Sequence, residues 1–368
     1  MSARADLPPM EVAGRLDRLR AALGAAGCDV LVVAHLTNVR YLTGFSGSAA
    51  TLLVLPDGAV HVTDGRYEEQ AADELAAAGV EAELFVGRTL AAQTDELRTR
   101  LAGVARVGLE ADHVTWAEQR RFADVVTGDL VPTEHLVEDL RAVKDPGEVA
   151  RIEAACAIAD EALAAVLPQL DAGPTETAFA AVLEAEMRAR GADDISFDTI
   201  VASGPNGSRP HHQPSSRRIE PGDLVVIDFG ALVEGYHSDM TRTVPVGGVE
   251  ALDGTQRRML EVVTAAQAAG VAAVAAAAPV AGVDVACRAV IDEAGWGDAF
   301  VHGTGHGVGL DIHEAPAVAA TSTDTLAAGH VVTVEPGIYL PELGGVRIED
   351  TVVVTPDGCR PLTCAPKP

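Results

Sequence analysis

Four acidic residues lie in or beside apolar, strand-like sequence, where a carboxylate is unexpected: Asp228, Asp239, Glu335 and Glu349. Asp228, for example, directly follows the apolar run 224–227. A buried carboxylate must either become neutral or find a cation. If these four acids converge with the imidazole of His306, they would repel one another unless divalent metal ions neutralised them. The five residues therefore indicate a two-metal site.

Segment 301–314 is the densest chemical signal in the chain. It contains His302, His306 and His313 among four glycines. A lone histidine is usually packed and hydrogen-bonded, whereas three in this context favour metal ligation or acid–base chemistry. A phosphate-binding glycine loop is disfavoured because no Lys-Ser or Lys-Thr pair follows. The His-Glu-x-x-His pattern of zinc-protease helices is missing from the segment as well.

Arg347, His211 and His212 could act on a substrate. Arg347 stands two residues before Glu349 and shares its face of a strand, so it is either a structural ion-pair partner or a clamp for a substrate carboxylate. The two adjacent histidines follow Pro210 in a predicted loop, and the sequence leaves open which of them enters a site. We take His211, because it directly follows the proline.

The elements that must position these residues fall into two predicted domains, 1–143 and 144–368. The first alternates strands and helices, as in an α/β domain. Asp145, Pro146 and Glu148 have the types and spacing of a helix cap, a first-turn proline and a capping-box acid, which places the boundary just before them. Helices followed by strands, twice over, predict an α+β second domain; two of its helices are expected at about 254–278 and 283–293.

Composition narrows the class of protein. A length of 368 residues accommodates two domains, and 54 acidic against 27 basic residues give a net charge of −27. This balance argues against nucleic acid or an anionic membrane as a partner. Five cysteines without a C-x-x-C spacing predict free thiols. No signal-peptide pattern or bilayer-length apolar run is found, so a cytoplasmic enzyme is expected.

Five segments together resemble the pita-bread metallopeptidases, and within them the branch of Xaa-Pro aminopeptidases and Xaa-Pro dipeptidases (prolidases). The segments are 225–230, 236–243, 302–314, 333–337 and 346–351. Residues 38–47 and 63–67 resemble the creatinase-like N-terminal domain of the same branch. The resemblance spans nearly the whole chain. It implies an α/β N-terminal domain followed by an α+β pita-bread C-terminal catalytic domain.

The resemblance also implies a metal centre of two divalent ions. Asp228 and Asp239 would ligate one ion and His306 the other, with Glu335 and Glu349 completing the pair. Manganese is expected first, with cobalt, zinc or iron as alternatives, because oxygen and imidazole ligands suit these metals. A water bridging the ions would be the nucleophile, and Glu335 would pass its proton to the leaving proline nitrogen.

Accessory roles follow from the same resemblance. His302 and His313 would polarise the substrate carbonyl, His211 would close the proline side, and Arg347 would lie near the substrate's carboxylate end. The expected substrates are small peptides with proline at the second position, and the expected assembly is a homodimer. Cleavage of dipeptides and cleavage of longer peptides both stay open.

Two other functions remain as alternatives. One is a pita-bread hydrolase of another small amide or amidine, and the other is a non-catalytic binding module on the same fold. A creatinase-type enzyme works without metals and lacks the ligand set. A binding module has no reason to retain all five ligands either, so the intact set favours the metallopeptidase.

Overall fold

The computed structural model describes residues 7–368. This part of the chain divides into two compact units, residues 10–141 and residues 142–368 together with 7–9. The domain boundary predicted between Val143 and Lys144 lies beside this division and stays a prediction. No helix within the described residues combines the length and the apolar content needed to cross a membrane.

The unit 10–141 is built on one sheet. Its strands are β1 (Val30–Val33), β2 (Ala50–Leu55), β3 (Gly58–Thr63), β4 (Glu83–Val86), β5 (Arg106–Glu110) and β6 (Asp129–Thr133). They are ordered β4-β3-β2-β1-β5-β6, with β1 antiparallel to β2 and parallel to β5. The helices are α1 (Arg15–Leu23), α2 (Leu36–Thr43), α3 (Glu68–Ala77), α4 (Leu90–Arg100), α5 (Trp116–Val125) and α6 (Glu138–Ala142), the last ending at the division between the units. The alternation of strands and helices is the α/β pattern expected from the sequence.

Four helices belong to the second unit: α7 (Pro146–Val166), α8 (Glu176–Ala189), α9 (Gly254–Ala273) and α10 (Val280–Glu293). Helix α7 begins with the predicted capping box, in which Asp145 and Glu148 each accept a bond from the other's backbone N–H. Helix α9 ends five residues earlier than predicted, and Ala277 adopts a left-handed φ of 67°. Helix α10 begins three residues earlier than predicted, directly after Pro279.

The strands of the second unit form two main sheets and two small ones. They are β7 (Asp194–Ile195), β8 (Ile200–Ser203), β9 (Leu224–Phe229), β10 (Ala231–Val233), β11 (Tyr236–His237), β12 (Met240–Pro245), β13 (Gly305–Gly307), β14 (Glu314–Val318), β15 (Val331–Val334), β16 (Gly337–Leu340), β17 (Gly344–Arg347), β18 (Asp350–Thr355) and β19 (Gly358–Pro361). The main sheets are ordered β12-β9-β8 and β14-β13-β15-β18-β19, and the small ones β11-β10-β7 and β16-β17.

Two buried clusters repeat one packing scheme. In the first, apolar side chains of α7 and α8 pack with those of β9, Val225 and Ile227 among them. In the second, α9 and α10 pack with β15 and β18 through residues such as Val332 and Val352. Each buried aliphatic side chain contributes roughly 1.5–3 kcal/mol of hydrophobic stabilisation. The two helix pairs on strands match the α+β pattern expected from the sequence.

Hydrogen bonds join β12 to the chain around β17 and β18, which belong to other sheets. The backbone N–H of Glu349 donates to the carbonyl of Thr241 at 3.1 Å. The hydroxyl of Thr351 donates to the carbonyl of Asp239 at 2.7 Å, and the hydroxyl of Thr243 to the carbonyl of Arg347 at 2.8 Å. These bonds bring the acid-bearing strands of the two main sheets side by side.

Candidate active site

The strand ends carry the five predicted metal ligands into one place. Asp228 lies near the end of β9, where it pairs with Thr241 of β12, and Asp239 directly precedes β12. Glu335 directly follows β15, Glu349 links β17 to β18, and His306 is the central residue of β13. The three short bonds described above fix the approach of these strands, so the acids converge as a result of sheet geometry.

Distances confirm that the five side chains meet. One carboxylate oxygen from each of Asp228, Asp239 and Glu349 lies within 4.8 Å of the other two. The Nε2 atom of His306 lies 3.4 Å from Asp239 Oδ2 and 3.4 Å from Glu335 Oε1. The hydroxyl of Thr333 donates to Glu335 Oε1 at 3.2 Å, which orients this carboxylate. This set of oxygens and one imidazole suits a hard or borderline divalent cation.

The protein does not supply a hydrogen-bond donor to every oxygen of these acids. Asp228 Oδ1 and Glu349 Oε1 are buried oxygens without a hydrogen-bond partner. Such unsatisfied buried groups are rare in folded proteins and often mark an ion site. Burial and the neighbouring carboxylates of Asp239 and Glu335 raise the pKa of Glu349 well above its ordinary value. Burial likewise raises the pKa of Asp239 to about 6 and that of Glu335 to about 7.

The carboxylates that disfavour one another's negative charge favour a positive charge on the imidazole of His306. Burial opposes its positive charge, but the contacts with Asp239 and Glu335 outweigh burial and raise its pKa to about 9. The cluster therefore holds protons that metal ligation would displace, because carboxylate and imidazole ligands bind a cation through deprotonated atoms.

Arg347 lies in this cluster as an ion-pair partner. Its Nη2 donates to Asp228 Oδ2 at 2.6 Å, its Nη1 to the Tyr339 hydroxyl at 2.9 Å and its Nε to Thr241 Oγ1 at 3.1 Å. Burial opposes its charge, but Tyr339, Asp228 and Glu335 outweigh burial and hold its pKa above the ordinary value. Of the two roles considered from the sequence, the geometry favours the structural one, since all three nitrogens already donate within the protein.

His302 is also fully engaged. Its Nδ1 lies 2.7 Å from the carbonyl of Gly303, and its Nε2 lies 2.8 Å from the Tyr339 hydroxyl. The carbonyl can only accept, so Nδ1 carries the proton and Nε2 accepts from the tyrosine. Burial lowers the pKa of His302 to about 4. To contact a substrate as predicted, its ring would have to exchange the bond to Tyr339 for one to the substrate.

His313 and His211 present imidazoles to the same region. The ring of His313 is exposed and meets the ring of His306 edge to face, with centroids 4.3 Å apart. The ring of His211 is exposed and contributes, through its charge, to lowering the pKa of both His302 and His313. Both are therefore placed to donate to a bound substrate.

The adjacent histidines have different environments. His212 Nε2 lies 3.0 Å from the buried carboxylate of Glu176, and its side chain is only 9% exposed. Within residues 7–368, no hydrogen bond to the His211 side chain is seen. The geometry thus supports the choice of His211 as the residue that faces a substrate.

A cavity of about 890 Å³ contains all these groups. Its wall includes the five predicted ligands, Arg347 and the histidines His211, His212, His302 and His313. Further wall residues are Phe197, Thr199 and Ile200. Cavities of about 300–1,000 Å³ are typical of small-molecule sites, so this one has room for a short peptide.

Sequence reasoning missed Tyr339 and Thr241, which link the predicted residues to one another. The Tyr339 hydroxyl joins Arg347 to His302, and the Thr241 hydroxyl accepts from Arg347 and donates to Glu349 at 2.8 Å. Tyr339 stands four residues after Glu335, and Thr241 two residues after Asp239. Their proximity to the acids was visible, but nothing in the sequence showed that their hydroxyls face the site.

Comparisons with known proteins identify the class of protein to which this fold and site belong. Residues 150–356 match metallopeptidase family M24, and residues 15–143 match the creatinase/prolidase N-terminal domain. The chain belongs to metallopeptidase family M24. This assignment confirms the two-domain class expected from the sequence, an α/β N-terminal domain and an α+β pita-bread domain.

Individual relatives cover nearly the whole chain. An uncharacterized peptidase of Bacillus subtilis, YqhT, is 42% identical over 96% of this chain and 98% of its own length. A Xaa-Pro dipeptidase of Pyrococcus furiosus is 36% identical over 95% of this chain and 97% of its own length. The solved structure of a Xaa-Pro dipeptidase from Bacillus anthracis superposes with a TM-score of 0.92 at 37% identity, covering 96% of this chain and 98% of that one.

Proposed function

We propose that this protein is a dinuclear-metal peptidase that hydrolyses the Xaa-Pro bond at the N-terminus of dipeptides or short peptides. The observation that carries the proposal is the convergence of Asp228, Asp239, His306, Glu335 and Glu349 in one cavity large enough for a peptide. The relatives named as Xaa-Pro dipeptidases support the choice of substrate.

The residues present fit two divalent cations. Asp228, Asp239 and Glu349 offer clustered oxygens, two of them buried and unsatisfied, while His306 and Glu335 extend the set on one side. Oxygen with a single imidazole suits manganese first, with cobalt, zinc or iron as alternatives. When bound, such ions supply Lewis acidity and activate water for attack on an amide carbonyl.

The chain's own groups supply positioning and proton transfer. Glu335 is suited to carry a proton to the leaving proline nitrogen, because its carboxylate lines the cavity at the edge of the cluster, 3.4 Å from His306 Nε2. His313 is suited to donate a hydrogen bond to the substrate carbonyl and to the oxyanion that forms from it, and His211 is suited to contact the proline side of the substrate. Arg347 holds Asp228 in place, and Tyr339 holds His302 in one tautomer.

A substrate series tests the proposal. Metal-stripped protein receives Mn²⁺ and is assayed with Ala-Pro, Ala-Pro-Ala and Ala-Ala. We expect Ala-Pro to be hydrolysed at least about 100-fold faster than Ala-Ala, and activity to vanish in chelator. The ratio of Ala-Pro to Ala-Pro-Ala then separates a dipeptidase from an aminopeptidase. Activity retained in metal-free protein, or no Xaa-Pro hydrolysis with manganese, cobalt, zinc or iron, contradicts the proposal and favours another amide substrate or a binding role.

A further inference from the structure

A buried carboxylate outside the metal cluster organises one loop of the cavity. We define the His211 loop as residues 203–215, between the end of β8 and the approach to β9. Glu176, the first residue of α8, is fully buried and accepts hydrogen bonds from six donor groups on four residues of this loop. The donors are Ser203 N (2.7 Å) and Oγ (2.6 Å), Asn206 Nδ2 (3.0 Å), His212 Nε2 (3.0 Å), and Ser215 N (3.0 Å) and Oγ (2.6 Å).

The donors hold both ends of the loop. Ser203 is the last residue of β8, and Ser215 lies twelve positions later, where the chain returns to α8. The backbone of Thr177 donates to the carbonyl of Ser215 at 3.1 Å, and Arg217 Nη1 donates to Ser203 Oγ at 2.6 Å. A single carboxylate thus closes the loop, and a first-turn acid is also favoured by the helix dipole.

Burial alone would raise the pKa of Glu176, but the donors from Ser203, Ser215 and Asn206 outweigh burial and lower its pKa to about 2. The carboxylate is therefore ionised throughout the neutral range. An ionised carboxylate can only accept, so His212 Nε2 carries the proton of their shared bond.

We infer that Glu176 is a positioning residue for His211, held through the bond to His212 and the closure of the His211 loop by its six donors. The inference rests on the proposed peptidase function, in which His211 contacts the substrate. The His211 side chain makes no hydrogen bond of its own within residues 7–368, so its place in the cavity depends on the backbone of this loop. The two adjacent histidines then have different roles: His212 anchors the loop to Glu176, and His211 contacts the substrate.

Removing the charge should let the loop move. In Glu176→Gln, one carboxylate oxygen becomes an NH₂ group that faces donors, so about half of these hydrogen bonds are lost. A displacement of about 1 Å at a substrate-contacting group can lower a rate by roughly 100-fold. Glu176 has none of the five predicted ligands among its bonding partners, so the metal content should not change.

The test is a double-mutant cycle between Glu176→Gln and His211→Ala, with Ala-Pro as substrate and metal content measured for each variant. We expect Glu176→Gln to lower kcat/KM about 10- to 100-fold while two metal ions per chain are retained. In the His211→Ala background the same change should lower kcat/KM by less than about threefold, because its effect passes through His211. The matched control is Glu186→Gln on the same helix, a partly exposed acid paired with Arg190 at 2.9 Å, which should behave as wild type.

Three results would overturn the inference: unchanged kcat/KM in Glu176→Gln, an equal loss in both backgrounds, or loss of metal. If Glu176→Gln does not fold, His212→Ala removes one of the six donor groups and should show a smaller loss with the same dependence on His211. Amide hydrogen exchange of residues 203–215 gives a readout independent of activity. If wild-type protein fails to cleave Ala-Pro, the proposed function fails, whereas faster exchange of this loop in Glu176→Gln still supports positioning, and unchanged exchange rejects it.

Discussion

Glu176 and Glu349 are both buried glutamates of the same unit, 0% and 1% exposed, yet the protein shifts their pKa values in opposite directions. The pKa of Glu176 falls to about 2, whereas that of Glu349 rises well above its ordinary value. Depth of burial therefore does not distinguish them. What differs is the set of hydrogen-bond donors and charged groups around each carboxylate.

Glu176 is surrounded by hydrogen-bond donors of the protein, which replace the water that an exposed carboxylate would bind. Glu349 receives a hydrogen bond from the Thr241 hydroxyl at 2.8 Å, while its Oε1 has no partner and Asp228 and Asp239 lie close by. A buried carboxylate that receives hydrogen bonds on both oxygens needs no further partner in the folded protein. A cluster of acids with too few donors needs added positive charge. The comparison separates a structural carboxylate from a proposed metal ligand.

The largest effect is expected from deleting a member of the donor-poor cluster. Glu349→Ala should lower kcat/KM by at least about 1,000-fold and reduce the bound metal below two ions per chain, because an incomplete ligand set cannot retain both. Assays with Mn²⁺ and metal analysis check both. The control is His313→Ala, which should lower turnover with metal content near two. If His313→Ala lost metal as fully as His306→Ala, the division between ligand and substrate contact would be wrong.

Among the described residues, Arg347 is the only arginine or lysine that forms an ion pair with one of the five clustered residues. Its removal should therefore also cause a large loss of stability and activity. Arg347→Ala leaves Asp228 uncompensated and should lower the free energy of unfolding by about 3–5 kcal/mol. As a structural partner, it should reduce hydrolysis of Ala-Pro and of Ala-Pro amide by the same factor. A selective loss on the free dipeptide would instead establish a clamp for the substrate carboxylate.

The two glutamates should respond with opposite signs to the same substitution. Glu176→Gln should destabilise the protein by about 1–3 kcal/mol, because the new amide NH₂ group cannot accept the hydrogen bonds that the replaced oxygen accepts. Glu349→Gln should leave metal-free protein equally stable or more stable at pH 8, because it removes an ionisable acid from a cluster whose carboxylates repel one another. Urea unfolding of both variants in chelator measures the two effects. Equal destabilisation by both would erase the distinction.

The pH dependence of stability should also differ between the Glu176 site and the acid cluster. The pKa of Glu176 is lowered, so its stabilisation is complete above pH 4.5 and should disappear as the pH falls through about 2. The pKa of Glu335 is raised to about 7, so metal-free protein should lose stability as the pH rises from about 4.5 to 7. Unfolding curves of wild type, Glu176→Gln and Glu335→Gln across this range test both signs. A Glu176→Gln difference that grows on acidification would contradict the account.

The acids that converge in the cavity were easier to single out from the sequence than other features, because the signal for them lies in adjacent residues. An acid that ends an apolar run, as Asp228 does, is visible without any knowledge of partners. The start of α7 was equally local, since Asp145, Pro146 and Glu148 contain the whole capping motif. Glu176 was missed because its donors lie 27 to 39 positions away, and a Thr-Glu pair at a helix start indicates nothing beyond a cap.

Helix ends in alanine-rich sequence were the weakest predictions. Helix α9 was expected to reach Ala278, but the chain leaves the helix after Ala273 and turns through a left-handed Ala277. Four of the five residues 274–278 are alanine, which favours a helix, so the stop comes from tertiary contacts, such as the bond from Ala277 N to the carbonyl of Leu326 at 2.8 Å. Helix α4 went unpredicted for a related reason: Leu97 is its only buried residue, which leaves little periodicity.

The most direct test of the central claim is a calorimetric titration of metal-stripped protein with Mn²⁺ at pH 7, repeated in two buffers of different ionisation enthalpy. We expect two ions bound per chain and a net release of at least about one proton, because the pKa of His306 is raised to about 9 and ligation displaces the proton that its imidazole holds at pH 7. Binding of fewer than one ion per chain, or binding without proton release, would contradict the assignment of these acids and His306 to a metal centre.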